Sequence, residues 1–151
     1  MKIEFDKVTC SRCNGAGRFR AFSHVYGGVC FRCGGGGHTL TKKGAAAQSI
    51  YRQAMTITAD ALEPGMVVME TDVAPGGDMV ATRKLTVETV GPSDTKVIAD
   101  GVPVEHLAVT YKGGRQHDMA PATKIQQALS PFTRDTARAA LEGVAGATVT
   151  D

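Results

Sequence analysis

The chain has no tryptophan, and only three tyrosines and five phenylalanines among its 151 residues. Large aromatic side chains contribute much of the buried area of a tightly packed interior, so their scarcity argues against one large core. Apolar residues still make up 42% of the chain. That is enough for one folded domain or two small ones. Long apolar runs are also missing. No stretch approaches the ~18–20 apolar residues of a membrane span, and the opening MKIEFDKVTC lacks the apolar segment of a secretory signal. The expectation is a protein of the reducing cytoplasm with no membrane partner.

Catalytic signatures are equally scarce. There is no Gly-x-Ser-x-Gly elbow, no His-Glu-x-x-His helix and no phosphate-binding loop. Residues 34–37 are all glycine, but they follow a cysteine pair and lack the strand and Lys-Ser/Thr context that cradles a phosphate. Glu105 and His106, and His117 and Asp118, are adjacent in sequence. An acid–base dyad needs convergence in space, which adjacency in the chain does not supply. The expectation is that the protein is not an enzyme, with His106 and His117 the residues on which a catalytic reading would have to rest.

What the chain does have is concentrated between Cys10 and Gly37, in the stretch CSRCNGAGRFRAFSHVYGGVCFRCGGGG. Its four cysteines fall as C-x2-C-x16-C-x2-C. Each pair opens the longer pattern C-x-x-C-x-G-x-G, once as Cys10, Cys13, Gly15, Gly17 and again as Cys30, Cys33, Gly35, Gly37. The repeat carries further, with Arg12 matching Arg32 and Arg18 matching His38. Two residues between cysteines let a tight turn aim both sulfurs at one ion, and thiolates suit a tetrahedral zinc. The glycines allow positive φ and close approach of backbone N–H groups to the sulfurs. Two disulfides or four free thiols are the alternatives, and in a reducing compartment the spacing favours one structural Zn²⁺ held by Cys10, Cys13, Cys30 and Cys33. A complete set of four thiols leaves His24 and His38 outside the ligands. Four thiolates around Zn²⁺ carry a net −2, which Arg12 and Arg32 are placed to offset in part.

The doubled C-x-x-C-x-G-x-G resembles the cysteine-rich zinc domain of DnaJ-type chaperones, over about residues 9–38. That family carries four such units and two zinc ions; this chain has two units, enough for one ion. The resemblance implies a pair of β-hairpin knuckles stabilised by zinc. It does not extend to chaperone activity, because the His-Pro-Asp signature of the J-domain is absent, and His117-Asp118 lacks the proline. Residues 23–33, SHVYGGVCFRC, also resemble small phage- and plasmid-encoded zinc-finger proteins. Such modules are similar to proteins that bind nucleic acid or another protein.

Charge is distributed unevenly. Residues 1–52 hold nine basic side chains against two acidic ones, a formal +7, and the remaining 99 residues hold eight against thirteen, a formal −5. Thiolate ligation of zinc lowers the first figure to about +5. Such asymmetry points to an acidic partner for the N-terminal part. Six of the eight aromatics lie in or beside the cysteine segment: Phe5, Phe19, Phe22, Tyr26, Phe31 and Tyr51. Basic side chains neutralise phosphates and aromatic faces stack on unpaired bases. Arg18, Arg20, Phe22, Tyr26 and Arg32 are therefore the candidate contacts for nucleic acid. The competing reading makes the same aromatics a cover for the metal or a docking surface for a host protein, with the arginines solvated.

Along the chain, Ile3 and Phe5 share one face of a short strand that leads into the first knuckle. A helix starts at Thr41 or Gly44 and runs to about Ala54, with Ile50 and Tyr51 as its apolar edge. Residues 58–62 suggest a helical turn. Strands are expected at 66–69, at 84–90 with one alternating buried face, at 96–99 and at 106–111. Turns separate them at 63–65, 74–78, 91–94 and 112–115. Ser130-Pro131 is a helix start, with the helix running to about Glu142 and stopping at Gly143. The expected fold is mixed and mainly β. A zinc-knuckle module (1–43) is joined by a linker helix (44–55) to a small antiparallel β barrel, SH3-like or OB-like (56–128), followed by a C-terminal helix (129–143) and a flexible tail (144–151).

Overall fold

The computed structural model describes residues 1–73, 79–95, 97–99 and 102–151. The expected turn at 74–78 and the first residue of the expected strand at 96–99 lie outside the described residues. The chain divides into two compact units. One comprises Met1–Tyr51 and Ala140–Asp151, the other Arg52–Ala139. In chain order the regular elements are β1 (Lys2–Phe5), β2 (Lys7–Thr9), β3 (His38–Leu40), α1 (Lys42–Ala54), β4 (Thr56–Thr58), β5 (Val67–Val73), β6 (Met79–Pro92), β7 (Val97–Ala99), β8 (Val102–Val104), β9 (Leu107–Tyr111), β10 (Arg115–Met119), β11 (Lys124–Gln126), α2 (Arg134–Leu141) and β12 (Ala147–Thr150). All paired strands among the described residues are antiparallel. No helix among them is long and apolar enough to cross a membrane.

In the first unit, β1 turns Ile3 and Phe5 to its half-buried face, as their alternation with charged neighbours dictates. The Phe5 ring packs on Tyr51 of α1, with centroids 5.8 Å apart. Helix α1 begins at Lys42 because Thr41 caps it. The Thr41 Oγ1 accepts the Gly44 N–H at 2.9 Å, and the Thr41 carbonyl accepts the Ala45 N–H at 2.9 Å. Residues 144–151, expected to be a flexible tail, instead contain β12. It pairs with β1 in the register Lys2↔Thr150 to Phe5↔Ala147, and the Asp6 N–H donates to the Gly146 carbonyl at 2.9 Å. The physical reason is that β1 is an edge with unpaired backbone groups, and the alternating ATVT segment satisfies them.

In the second unit the four-stranded sheet has the order β10-β9-β6-β5. Strand β6 is shared, pairing with β5 through its first half and with β9 through its second. An extra residue, Glu88, interrupts the β6–β9 register between Val87 and Thr89. It switches the parity of the strand, so that Val90 rather than Thr89 joins Leu85 and Val87 against the core. That core is centred on Leu62, Val68, Val87, Val109 and Tyr111. A second ribbon, β4 with β11, is attached to β5 by a bridge between Val68 and Gln127. Strands β7 and β8 form a separate hairpin.

The expected barrel is not closed. Among the described residues the outer strands β5 and β10 share no backbone pairing. Side chains tie them instead. Glu70 of β5 reaches Arg115 Nη2 at 3.1 Å and His117 Nε2 at 3.3 Å, both on β10. The sheet coils far enough for the Arg115–Glu70 ion pair to span its edges without backbone hydrogen bonds joining them, so among the described residues the sheet is not closed into the expected SH3-like or OB-like barrel. The C-terminal helix is also shorter than the Ser130-Pro131 signal predicts. Residues 130–133 form a turn, and the first helical bond runs from the Ala137 N–H to the Thr133 carbonyl at 3.0 Å. Phe132, inside the span expected to be helical, is exposed. The buried positions are Thr133, Ala137 and Leu141.

Candidate metal centre

The β2–β3 ribbon brings the start of the first knuckle against the end of the second, with Thr9 opposite His38. From there the two cysteine loops build one site by exchanging equivalent bonds. The Cys10 N–H donates to the Gly37 carbonyl at 2.8 Å, and the Cys30 N–H donates to the Gly17 carbonyl at 2.8 Å. The two bonds are identical under the 20-residue offset. Within the loops, the Ala16 N–H binds the Cys13 carbonyl at 2.9 Å, and the Gly36 N–H binds the Cys33 carbonyl at 3.1 Å. The backbone repeats in the same way. Asn14, Gly15 and Gly17 have φ of 51°, 85° and 71°; Gly34, Gly35 and Gly37 have 58°, 89° and 73°.

The loops cross so closely that two positions require glycine. A Cβ on Gly17 would lie 2.2 Å from the Gly35 carbonyl oxygen, and a Cβ on Gly37 would lie 2.3 Å from the Gly15 carbonyl oxygen. The sequence repeat is thus a pseudo-two-fold in space, and the cysteines lie around it.

The four sulfurs all lie within 4.8 Å of one another. Cys10 Sγ is 3.9 Å from Cys30 Sγ, and Cys13 Sγ is 3.7 Å from Cys33 Sγ. A tetrahedron with metal–sulfur bonds of ~2.3 Å has edges of ~3.8 Å. All four cysteines are free of disulfides; Cys10, Cys13 and Cys30 are buried and Cys33 is half-buried. This group fits one metal ion, and its all-sulfur donor set suits a soft or borderline cation. The Gly17 N–H points at Cys13 Sγ from 3.3 Å, the kind of outer support that orients a thiolate ligand. Backbone N–H groups of Cys13 and then Arg12 hold the Cys10 thiol down to about 6, against the effect of its burial. Burial pushes the Cys13 thiol up to about 11. His24 is exposed, and His38 is exposed with its Nδ1 3.1 Å from the Gly36 carbonyl oxygen. Neither imidazole belongs to the sulfur group.

Between the knuckles, residues 18–29 form a short arm closed at its base. Arg18 and Val29 pair in a β-bridge, and the Phe19 N–H donates to the Gly28 carbonyl at 2.8 Å. Two 3₁₀ turns, Arg20–Phe22 and Tyr26–Gly28, shape its tip. Phe19 packs against the cysteines. A cleft of about 420 Å³ opens beside it, lined by Arg12, Phe19, Phe22, Val25, Val29 and Phe31.

The candidate contacts fall unevenly around this cleft. Phe22 lines it. Tyr26 does not line it but meets Phe31 edge to face at 6.0 Å. Arg18 is at the base of the arm, Arg20 opens the first turn, and Arg32 is in the second cysteine loop; all three are exposed. None of Arg12, Arg18, Arg20 and Arg32 forms an ion pair with a described residue. Arg12, Phe19, Val25, Val29 and Phe31 are the lining residues absent from the sequence-based set of candidate contacts. The available signal for Phe31 was the repeat itself, because its counterpart under the 20-residue offset is Ser11.

In the second unit, His117 is held by Glu70, by Arg115 Nε at 3.0 Å and by the Tyr111 ring at 5.5 Å. Asp118 turns away, as strand alternation requires, and accepts the Thr95 hydroxyl at 2.6 Å. That bond, followed by Ser93, holds its carboxyl below the usual range. His106 lines a cleft of about 450 Å³ with Glu105 and Ser93. No protein-family model, curated protein or solved structure matches the chain.

Proposed function

We propose that the protein is a non-enzymatic, zinc-binding accessory protein that binds nucleic acid through its basic, aromatic metal module. Zinc is the reading that best suits four converging thiolates at tetrahedral spacing, and the doubled motif is that of the DnaJ-type zinc domain in a single-ion version. Four protein ligands complete the coordination and leave no position for a water, so the metal is structural. The observation that carries the nucleic-acid reading is that Arg12, Arg18, Arg20 and Arg32 are exposed and form no ion pair with a described residue, in a module that also leaves Phe22, Tyr26 and Phe31 exposed.

The experiment is fluorescence anisotropy of the zinc-loaded chain with labelled single-stranded DNA, duplex DNA and RNA at two salt concentrations. Arg18→Ala with Arg20→Ala should weaken binding and flatten the dependence of log K on log salt by about 0.7 per lost contact on a single strand. An unchanged slope would remove those arginines from the interface. The second reading is a protein-interaction module, an adaptor or an inhibitor of a host protein, favoured by the exposure of Phe22, Tyr26 and Phe31. It expects no nucleic-acid binding, together with a pull-down that Phe22→Ala or Tyr26→Ala abolishes.

A further inference from the structure

We propose that the cleft beside the arm takes an unpaired nucleobase, so that the ligand is single-stranded nucleic acid and Phe31 and Arg12 are among its contacts. This rests on the nucleic-acid reading above and narrows it to one substrate class. The cleft holds about 420 Å³, within the ~300–1,000 Å³ range of sites for small ring systems. Its walls are apolar and largely aromatic, and Arg12 is its one charged lining group. That combination suits a flat, polarisable ring whose edge carries acceptors and whose neighbours carry phosphate charge.

The rings themselves point the same way. Phe22 and Phe31 are 58% and 66% exposed, a large apolar surface for a small module to leave in water. Both aromatic pairs, Phe19 with Phe22 at 6.3 Å and Tyr26 with Phe31 at 6.0 Å, meet edge to face rather than stacked. Such pairs leave ring faces open to a third planar group. Tyr26, which braces Phe31, has φ of 48°. For a bulky side chain that backbone is strained, and strain of this kind gathers at ligand clamps. Arg12 lines the cleft with Phe19, Phe22 and Phe31, and the net positive charge of residues 1–52, a formal +7 that falls to about +5 with zinc bound, supplies the field that draws in a phosphate chain. A duplex keeps its bases stacked inside and offers the cleft nothing to insert. A single strand offers a base and a phosphate at every step.

The test uses the full metal-loaded chain and three probes of equal length: an oligothymidylate, its abasic counterpart with the same phosphates, and a duplex. The abasic strand should bind about fivefold or more weakly, with the same salt slope, since stacking on one aromatic contributes at least that much. Phe31→Ala should bring the affinity for oligothymidylate down toward that for the abasic strand, and Phe31→Tyr should restore it. Metal stoichiometry of each variant checks that the module is intact. Equal binding of the oligothymidylate and abasic strands, or duplex binding as tight as single-strand binding, would overturn the inference and leave the broader nucleic-acid reading standing. A cleft that holds an apolar peptide would show the first of these patterns or no binding. No binding of any probe at low salt would overturn both.

Discussion

Replacing Gly17 with alanine should release the metal by forcing the two knuckles apart. The added Cβ would sit 2.2 Å from the Gly35 carbonyl oxygen, where ordinary contact begins at 3.4 Å. Backbone must therefore move by more than 1 Å, and both overlapping groups belong to the loops that aim the sulfurs. The Gly17 carbonyl also accepts the Cys30 N–H at 2.8 Å, and losing a buried hydrogen bond costs about 1–3 kcal/mol. A further ~1–2 kcal/mol comes from holding an L-residue at φ of 71°. The sum, about 2–5 kcal/mol, corresponds to metal binding roughly 30- to 5,000-fold weaker. Competition against a chromophoric chelator measures it directly. Gly34→Ala is the control, because Gly34 also has positive φ but its Cβ would meet nothing within 4 Å. That variant should lose only the dihedral contribution, about 5- to 30-fold. Gly37→Ala, whose Cβ would lie 2.3 Å from the Gly15 carbonyl oxygen, should match Gly17→Ala. If Gly17→Ala held the metal as tightly as Gly34→Ala, the crossing of the loops would not be what positions the sulfurs.

Deleting residues 144–151 removes β12 and should lower the stability of the first unit by about 1–3 kcal/mol through the lost ladder with β1; an unchanged thermal melt would show that the pairing contributes nothing. Thr133→Ala should cost the second unit about 1–3 kcal/mol in urea unfolding, because its buried hydroxyl both donates to the Ala128 carbonyl and accepts the Ser130 N–H, each at 2.9 Å. Burial, with Glu70 adding to it, raises the Tyr111 phenol above its ordinary value. The stability this group provides is complete below the unfolded value of about 10 and is lost as pH rises through the folded one. Tyr111→Phe should therefore flatten the alkaline end of the second unit's stability profile, and an unaltered profile would assign that loss to other groups.

Legibility followed the hydrophobic pattern where side chains face a core and failed where backbone or charge decides. Ile3 and Phe5 on β1 and the strand around Val109 were readable because apolar side chains mark their buried faces; the helix after Thr41 was readable from its helix-forming residues, although its buried positions are Gly44 and Ala47 and the expected edge residue Ile50 is exposed. Strand β10, with sequence RQHDM, was not, because two of its three inner-face positions are Arg115 and His117, held on Glu70, and only Met119 packs on the apolar core. The Glu88 bulge was hidden by an alternation that looks regular through Thr89, although the fold needs Val90. The barrel expectation failed for a related reason. Closure depends on backbone pairing between β5 and β10, and no side-chain pattern reports which edges pair.

The cysteine group was legible in the sequence and the cleft beside it only in part, and the repeat explains both. Four cysteines at fixed spacing define one group whatever the rest of the chain does, and two-fold exchange of backbone bonds needs only that each loop carry the same glycines. The cleft instead depends on where the two halves differ. Ser11 and Phe31 occupy equivalent positions, yet Phe31 lines the cleft; Arg12 and Arg32 are equivalent, yet Arg12 alone lines it. The cause is the arm. Residues 18–29 leave from the first knuckle and return to the second, so they roof one side of the pseudo-two-fold, while the second knuckle continues straight into β3. Symmetry builds the metal site and the arm breaks it. The break places an exposed phenylalanine of one loop beside an arginine of the other, and that pairing belongs to neither repeat read alone.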